Sequence, residues 1–282
     1  MSYAFRQVDV FTDSPLLGNP LAVVHGADAL SDARMQEFAR WTNLSETTFL
    51  LTPRDSRADY RVRIFTPAAE LPFAGHPTLG TCHAWLEAGG RPAGERVVMQ
   101  ECGAGLVPVR RSADGRLAFA APPLVRSGPV EESFVSEIAS VLRISRDSIV
   151  DAQWVDNGPG WVAVLLESAS AVLELSPGFM PFKLGVAGPY PSGSETAFEV
   201  RAFFPVDGAT REDPVTGSLN ASLAQWLLHT GRAAAPYVAS QGTAIGRRGR
   251  VHVSVSSGDS DEGAGIWVGG GTITLVTGTV SL

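Results

Sequence analysis

The chain has 282 residues, with 22 Lys and Arg against 29 Asp and Glu, a formal charge of −7 and a pI near 5.3. A hydrophobic share of 44% beside 18% charged residues excludes a disordered chain, and the acidic balance without a basic block argues against nucleic acid as a partner. No apolar run reaches the ~18 residues of a membrane span, and the first nine residues lack the apolar stretch of a secretory signal, so a cytoplasmic protein acting on something small is expected.

Residues 3–11, 21–25 and 47–51 carry the β-branched, aromatic and alternating pattern of strands. Between the last two, Ser31 predicts the N-cap of a helix that turns Met35, Phe38 and Ala39 inward and stops near Asn43. Residues 60–66 alternate again. Pro77 suits a first helical position, so 78–88 reads as a mostly apolar helix that ends at Gly89-Gly90. Strands follow at 96–101, 106–111 and 117–120. The stretch from Pro122-Pro123 to Pro129 marks the boundary between two halves, 1–121 and 122–282. Beyond it, 131–142 has the pattern of an extra amphipathic helix, 149–155, 161–166 and 198–205 read as strands, and 218–229 as a second apolar helix. Strands at 250–254, 265–268 and 272–280 close the chain, the last segment (about 272–282) packing back on the first half.

The chain is written twice. Arg63-Ile-Phe-Thr-Pro67, His76-Pro-Thr-Leu-Gly80, Ala84-Trp-Leu86 and Gln100-Glu-Cys-Gly-Ala-Gly105 recur in the same order, each about 140 residues later. Their counterparts are Arg201-Ala-Phe-Phe-Pro205, Asp213-Pro-Val-Thr-Gly-Ser218, Gln225-Trp-Leu227 and Gln241-Gly-Thr-Ala-Ile-Gly246. Each half then has many strands and one apolar helix that must be buried on all sides. A strongly curved sheet wrapped around that helix satisfies the requirement. The expected class is α+β, two pseudo-symmetric halves, each a β-barrel-like sheet around a central helix.

The rare residues exclude several chemistries. Lys183 is the one lysine, and no Gly-x-x-x-x-Gly-Lys precedes it, which argues against Schiff-base and P-loop enzymes. Cys82 and Cys102 read as buried free thiols. His76 and His83 could share a helical face, but no third ligand matches them, so no metal site is expected. A dinucleotide fingerprint is absent.

Both apolar helices begin at corresponding points of the repeat, with His76 and Asp213 as the polar residues at their starts. Helix N-termini favour a bound carboxylate. If the halves face each other about a pseudo-twofold axis, both starts meet in one cleft, the common place for a ligand. Glu46 stands where a helix gives way to a strand, a position from which an acid can project. The residues alone leave each reading open: Glu46 also suits a solvated or capping role, His76 a structural ring, Asp213 an N-cap, and Ser218 plain helix-start polarity.

Asn43-Leu-Ser-Glu46-Thr-Thr-Phe49, Phe65-Thr-Pro67, Glu70-Leu-Pro-Phe-Ala-Gly-His-Pro77 and Glu212-Asp-Pro-Val-Thr-Gly-Ser218 together resemble the PhzF family, named for an isomerase of phenazine biosynthesis. Gly18-Asn-Pro20, Asn157-Gly-Pro159 and Gln241-Gly with Ile245-Gly-Arg247 match as well. The resemblance spans essentially the whole chain and implies the diaminopimelate epimerase-like fold. It implies a cofactor-independent isomerase of a small carboxylate-bearing metabolite, with Glu46 as the proton-transfer acid and base. His76 and Asp213 would hold the substrate and assist, Gly75, Gly217 and Ser218 would contact it, and burial would raise the pKa of Glu46. The resemblance further implies a homodimer, while charge, hydropathy and histidine spacing argue against nucleic-acid, membrane and metal partners. Carbon–carbon hydrolysis on the same scaffold and non-catalytic binding of a small acid are the alternatives. Two departures stand out. Both cysteines fall in the first half, which removes the two-cysteine racemase mechanism of related epimerases, and Leu219 follows Ser218 where the phenazine enzyme has a small residue, which bears on the shape of the pocket.

Overall fold

The computed structural model describes residues 1–256 and 265–282, and the chain divides into two compact units. The first is built on Met1–Ala120. It runs β1 (Ser2–Val10), β2 (Asn19–Val24), α1 (Asp32–Thr42), β3 (Glu46–Leu51), β4 (Tyr60–Phe65), β5 (Glu70–Leu71), α2 (Gly75–Glu87), β6 (Val97–Cys102), β7 (Gly105–Arg111) and β8 (Leu117–Ala120). β2 and β3 are parallel, so the chain must cross over between them, and α1 is that crossover.

Local chemistry fixes the ends of α1. The Ser31 hydroxyl accepts from the Arg34 N–H at 3.3 Å, a cap worth about 1 kcal/mol. Asn43 turns left-handed (φ 54) and donates its N–H to the Ala39 carbonyl, which closes the helix just before β3. Met35, Phe38 and Ala39 face inward as expected and join Val24, Phe49, Leu51 and Phe65 in one apolar cluster.

The other face of the sheet carries α2, which meets β1, β2, β3, β6, β7 and β8. Such wrapping accounts for the burial of Gly75 through Cys82. A Cβ on Gly80 would sit 2.6 Å from Leu21 Cδ2, so close approach to β2 demands glycine there. The helix starts at Gly75, earlier than the sequence pattern indicates, and Pro77 is its third residue. Proline is tolerated at that position because first-turn N–H groups have no intrahelical acceptor.

The second unit begins at Ala121. It contains β9 (Arg126–Pro129), α3 (Glu132–Leu142), β10 (Ile149–Asp156), β11 (Trp161–Leu166), α4 (Ala169–Leu173), β12 (Lys183–Pro189), β13 (Phe198–Val206), β14 (Ala209–Glu212), α5 (Gly217–His229), β15 (Tyr237–Gln241), β16 (Gly249–Ser256) and β17 (Gly265–Gly270) as far as Val268. The proline-rich stretch read as the boundary between the halves is partly ordered as β9, paired with β10. The last strand, β18 (Thr272–Ser281), lies in the first unit, antiparallel to β1 and against α2.

The strand pairings of the units repeat. β1–β2 and β10–β11 are antiparallel, β2–β3 and β11–β12 parallel, β3–β4 and β12–β13 antiparallel, β4–β6 and β13–β15 parallel, β6–β7 and β15–β16 antiparallel. Val162, Val164, Leu166, Leu184 and Val186 pack on α3 and α4. The alternate residues face α5, where Leu219 fills the space that a Cβ on Gly185 would need, 2.4 Å from Leu219 Cδ1. Leu219 is thus a fully buried core residue. Among the described residues no helix is long and apolar enough to cross a membrane.

Candidate active site

Glu46 is the first residue of β3, delivered there by the left-handed stop at Asn43. Its side chain is 16% exposed, and its Oε2 lies 3.4 Å from Nε2 of His76. His76 is the second residue of α2 and is buried. Burial depresses its pKa to about 3, so the ring is neutral at ordinary pH and the contact with Glu46 is not an ion pair. The buried Asn19 amide donates from Nδ2 to His76 Nδ1 at 3.4 Å. With Nδ1 the acceptor, the single ring proton sits on Nε2, the nitrogen that faces Glu46. The N-cap of α2 is Ala74, which offers its first turn no side-chain hydrogen bond.

In the second unit, the Asp213 carboxylate accepts from the Thr216 hydroxyl, and its own N–H donates to the Ala202 carbonyl at 3.0 Å. Thr216, not Asp213, is the N-cap of α5. Gly217 and Ser218 open the helix. Ser218 Oγ accepts from Trp161 Nε1 at 3.0 Å, and its carbonyl accepts from Asn157 Nδ2 at 3.0 Å. Gln241 braces the same turn: its Oε1 accepts from the Thr216 N–H at 3.0 Å and from Asn220 Nδ2 at 2.8 Å, while its Nε2 donates to Thr216 Oγ1 at 3.0 Å. Gln100 plays a similar part in the first unit, donating to Thr78 Oγ1 at 3.0 Å and accepting from Tyr60 OH at 3.0 Å.

The units are registered by two forked ion pairs, Arg63 with Glu70 and Arg201 with Glu212. Glu70 and Glu212 each stand five residues before the first helical glycine, Gly75 or Gly217. On this register the counterpart of His76 is Ser218, and Asp213 matches Leu71. The matching of His76 with Asp213 is therefore corrected. Asp213 precedes the helix in the connection from β14, where it holds Thr216.

Cys82 is buried in α2, where loss of water pushes its thiol up to about 12. Cys102 is only half-buried, at the end of β6, and departs from the expectation of a buried thiol. His83 turns to Thr274, its Nε2 lying 3.1 Å from Oγ1. Among the described residues no three His, Cys, Asp or Glu gather into a group that could hold a metal ion. A cavity of about 540 Å³ in the second unit is walled by Tyr190, Phe198, Arg232 and Tyr237, and none of the candidate residues lines it. Asn19, Asn157, Trp161, Thr216 and Gln241 brace these turns and were not named as site residues from the sequence, although all but Trp161 lie within the motifs shared with the PhzF family.

Two helix-centred units with matched strand order form the diaminopimelate epimerase-like fold, and relatives named as isomerases over nearly the whole chain make the protein an isomerase. A PhzF family protein of Bacillus anthracis has the same fold, with a TM-score of 0.83 and 22% identity over 100% of both chains. Residues 8–278 match the PhzC-PhzF family of phenazine biosynthesis-like proteins, and the chain belongs to that family. It is 35% identical to antisense-enhancing sequence 1 of Schizosaccharomyces pombe, over 98% of each chain. It is 36% identical to the trans-2,3-dihydro-3-hydroxyanthranilate isomerase of Pseudomonas aeruginosa, over 92% of this chain and 90% of that one.

Proposed function

We propose that this isomerase moves a proton between carbons of a small carboxylate-bearing metabolite, with Glu46 as both base and acid and no cofactor in the cycle. The observation that supports the reading is the 3.4 Å approach of the buried, neutral His76 ring to Glu46. A single carboxylate can take a proton from one carbon and return it to another on the same face of a ring. The Nε2–H of His76 orients Glu46 or a substrate oxygen without competing for the proton, since the ring stays neutral. His76 and Asp213 hold polar groups of the substrate, and Gly75, Gly217 and Ser218 present helix-start N–H groups to the charge that develops.

The test uses trans-2,3-dihydro-3-hydroxyanthranilate, the compound named for the Pseudomonas relative, offered in D₂O to the wild type and to Glu46→Gln. An isomer of unchanged mass, or one carrying deuterium, is expected from the wild type. In Glu46→Gln kcat should fall by at least ~100-fold with little change in KM, the size of a lost general base. Unchanged turnover in that variant removes Glu46 from the mechanism. Two smaller products would mark hydrolysis, and thermal stabilisation without conversion would mark a binding protein.

A further inference from the structure

Gly18-Asn19-Pro20 is a motif shared with the PhzF family, and the proposed mechanism gives it no part. Gly18 is glycine because the start of β2 presses on β1. A Cβ there would lie 2.3 Å from the Val10 carbonyl oxygen and 2.9 Å from Asp9 Oδ1. The Gly18 N–H donates to Oδ2 of the buried Asp9 at 3.0 Å, which pins the chain where Asn19 begins β2.

Strand alternation then sets where Asn19 points. Leu21, two residues on, meets Gly80 of α2, and Asn19 faces the same helix one turn earlier, at His76. Glu46 faces α2 from the neighbouring parallel strand. It lies beside Leu21 in register, and Thr48, two residues on, accepts from the Thr81 hydroxyl of α2 at 2.9 Å. The His76 ring is thus held between the first residues of β2 and β3, with Asn19 Nδ2 3.4 Å from its Nδ1 and Glu46 Oε2 3.4 Å from its Nε2. Asn19 is wholly buried and His76 nearly so. An amide nitrogen can only donate, so this contact requires an Nδ1 that carries no proton. Turned the other way, the amide would offer its oxygen and draw the ring proton to Nδ1.

We propose that Asn19 is a positioning residue: by donating to Nδ1 it holds the neutral His76 ring in its Nε2–H form and so aims the ring proton at Glu46. Asn19 acts through His76, and the motif around it serves to set its place on β2. The proposal rests on the proton-transfer reading only for the use made of that proton, since the position of the proton is a property of the ring.

¹⁵N spectra of the labelled protein at neutral pH read the ring directly, with His76 identified among the five histidines by its loss in His76→Gln. The wild-type ring should show a proton on Nε2 and a bare Nδ1, and a proton on Nδ1 overturns the proposal. Asn19→Asp keeps the shape of the side chain but replaces the donor with an acceptor, so Nδ1 should gain a proton. An Nδ1 that stays bare in that variant overturns the proposal, because a residue that only fills space would leave the nitrogen pattern unmoved. Where Asn19→Asp does not fold, the wild-type spectrum still decides. With the compound named for the Pseudomonas relative, kcat should fall at least ~10-fold in Asn19→Asp while KM changes only a few-fold, the pattern of a misplaced ring proton. Unchanged kcat in a variant whose ring proton has moved overturns the positioning role. Glu46→Gln should keep the wild-type ring pattern, so failure of the proton-transfer reading shows in the turnover of that variant, and failure of the Asn19 assignment in the nitrogen spectra or in Asn19→Asp alone.

Discussion

Arg201 and Glu212 form a two-pronged pair, Nε to Oε1 at 3.1 Å and a terminal guanidinium nitrogen to Oε2 at 2.7 Å, with both side chains less than a tenth exposed. The remaining guanidinium nitrogen donates to the carbonyls of Val172 and Leu175 at 3.2 and 2.7 Å. This pair ties β13 to β14 and sets where the chain enters α5. Its counterpart, Arg63 with Glu70, ties β4 to β5 ahead of α2 but is wetter, the side chains being 22% and 42% exposed.

That difference in burial predicts unequal costs for the same change. Glu212→Ala leaves a buried guanidinium without its anion and should cost about 3–5 kcal/mol. Glu70→Ala removes a solvent-screened pair whose arginine still reaches Asp32, and should cost about 1 kcal/mol or less. Urea unfolding of the two variants measures both. Equal losses would mean that the repeat, rather than burial, sets the strength of the clamp.

The elements with strong local chemistry were legible in the sequence. Ser31 and Asn43 mark α1 because a hydroxyl cap and a left-handed stop are local events. The all-apolar Trp161–Leu166 strand was equally plain. β12 was not, because Gly185 and Gly188 dilute its pattern, and both are glycine for tertiary reasons. A Cβ on Gly188 would lie 2.3 Å from the Ser168 carbonyl oxygen, as one on Gly185 would meet Leu219. Lys183 was therefore weighed only for Schiff-base and P-loop chemistry, and not as the first residue of β12, the place that Glu46 holds in β3. Likewise His76-Pro77 was matched to Asp213-Pro214 on the shared proline, whereas the register is set by Glu70 and Glu212, which lie outside the helices.

The neutral His76 ring gives stability a pH dependence of definite sign. Its pKa falls from 6.5 in the unfolded chain to about 3 in the fold, so between those values the unfolded state alone binds the proton. Stability from this group is complete above pH 6.5 and is lost as pH falls toward 3, at about 1.4 kcal/mol per pH unit once the unfolded ring is charged. His25, lowered to about 4 by burial and by Arg6, acts in the same direction over a narrower range. Removing the ring in His76→Gln should flatten the stability curve between pH 6 and 4 by one proton's slope, measured as proton uptake on unfolding. The same depression means that any acidic limb of the kcat profile near pH 6 does not report His76, and it should persist in His76→Gln.

Ser218 has both a structural and a proposed substrate-binding part, and the Trp161 indole separates them. In Ser218→Ala the buried Trp161 N–H loses its acceptor, which should cost about 1–3 kcal/mol. Removing both partners leaves no orphaned donor, so Trp161→Phe with Ser218→Ala should recover most of that stability. Binding should respond in the opposite pattern. If the Ser218 hydroxyl meets the substrate, KM for the conversion rises in Ser218→Ala and stays raised in the double variant, although the fold is restored. Trp161→Phe alone keeps the hydroxyl and frees its lone pairs, so it should change KM less than Ser218→Ala does. A KM that returns to the wild-type value together with stability would assign Ser218 to packing alone and leave recognition at the start of α5 to its backbone N–H groups.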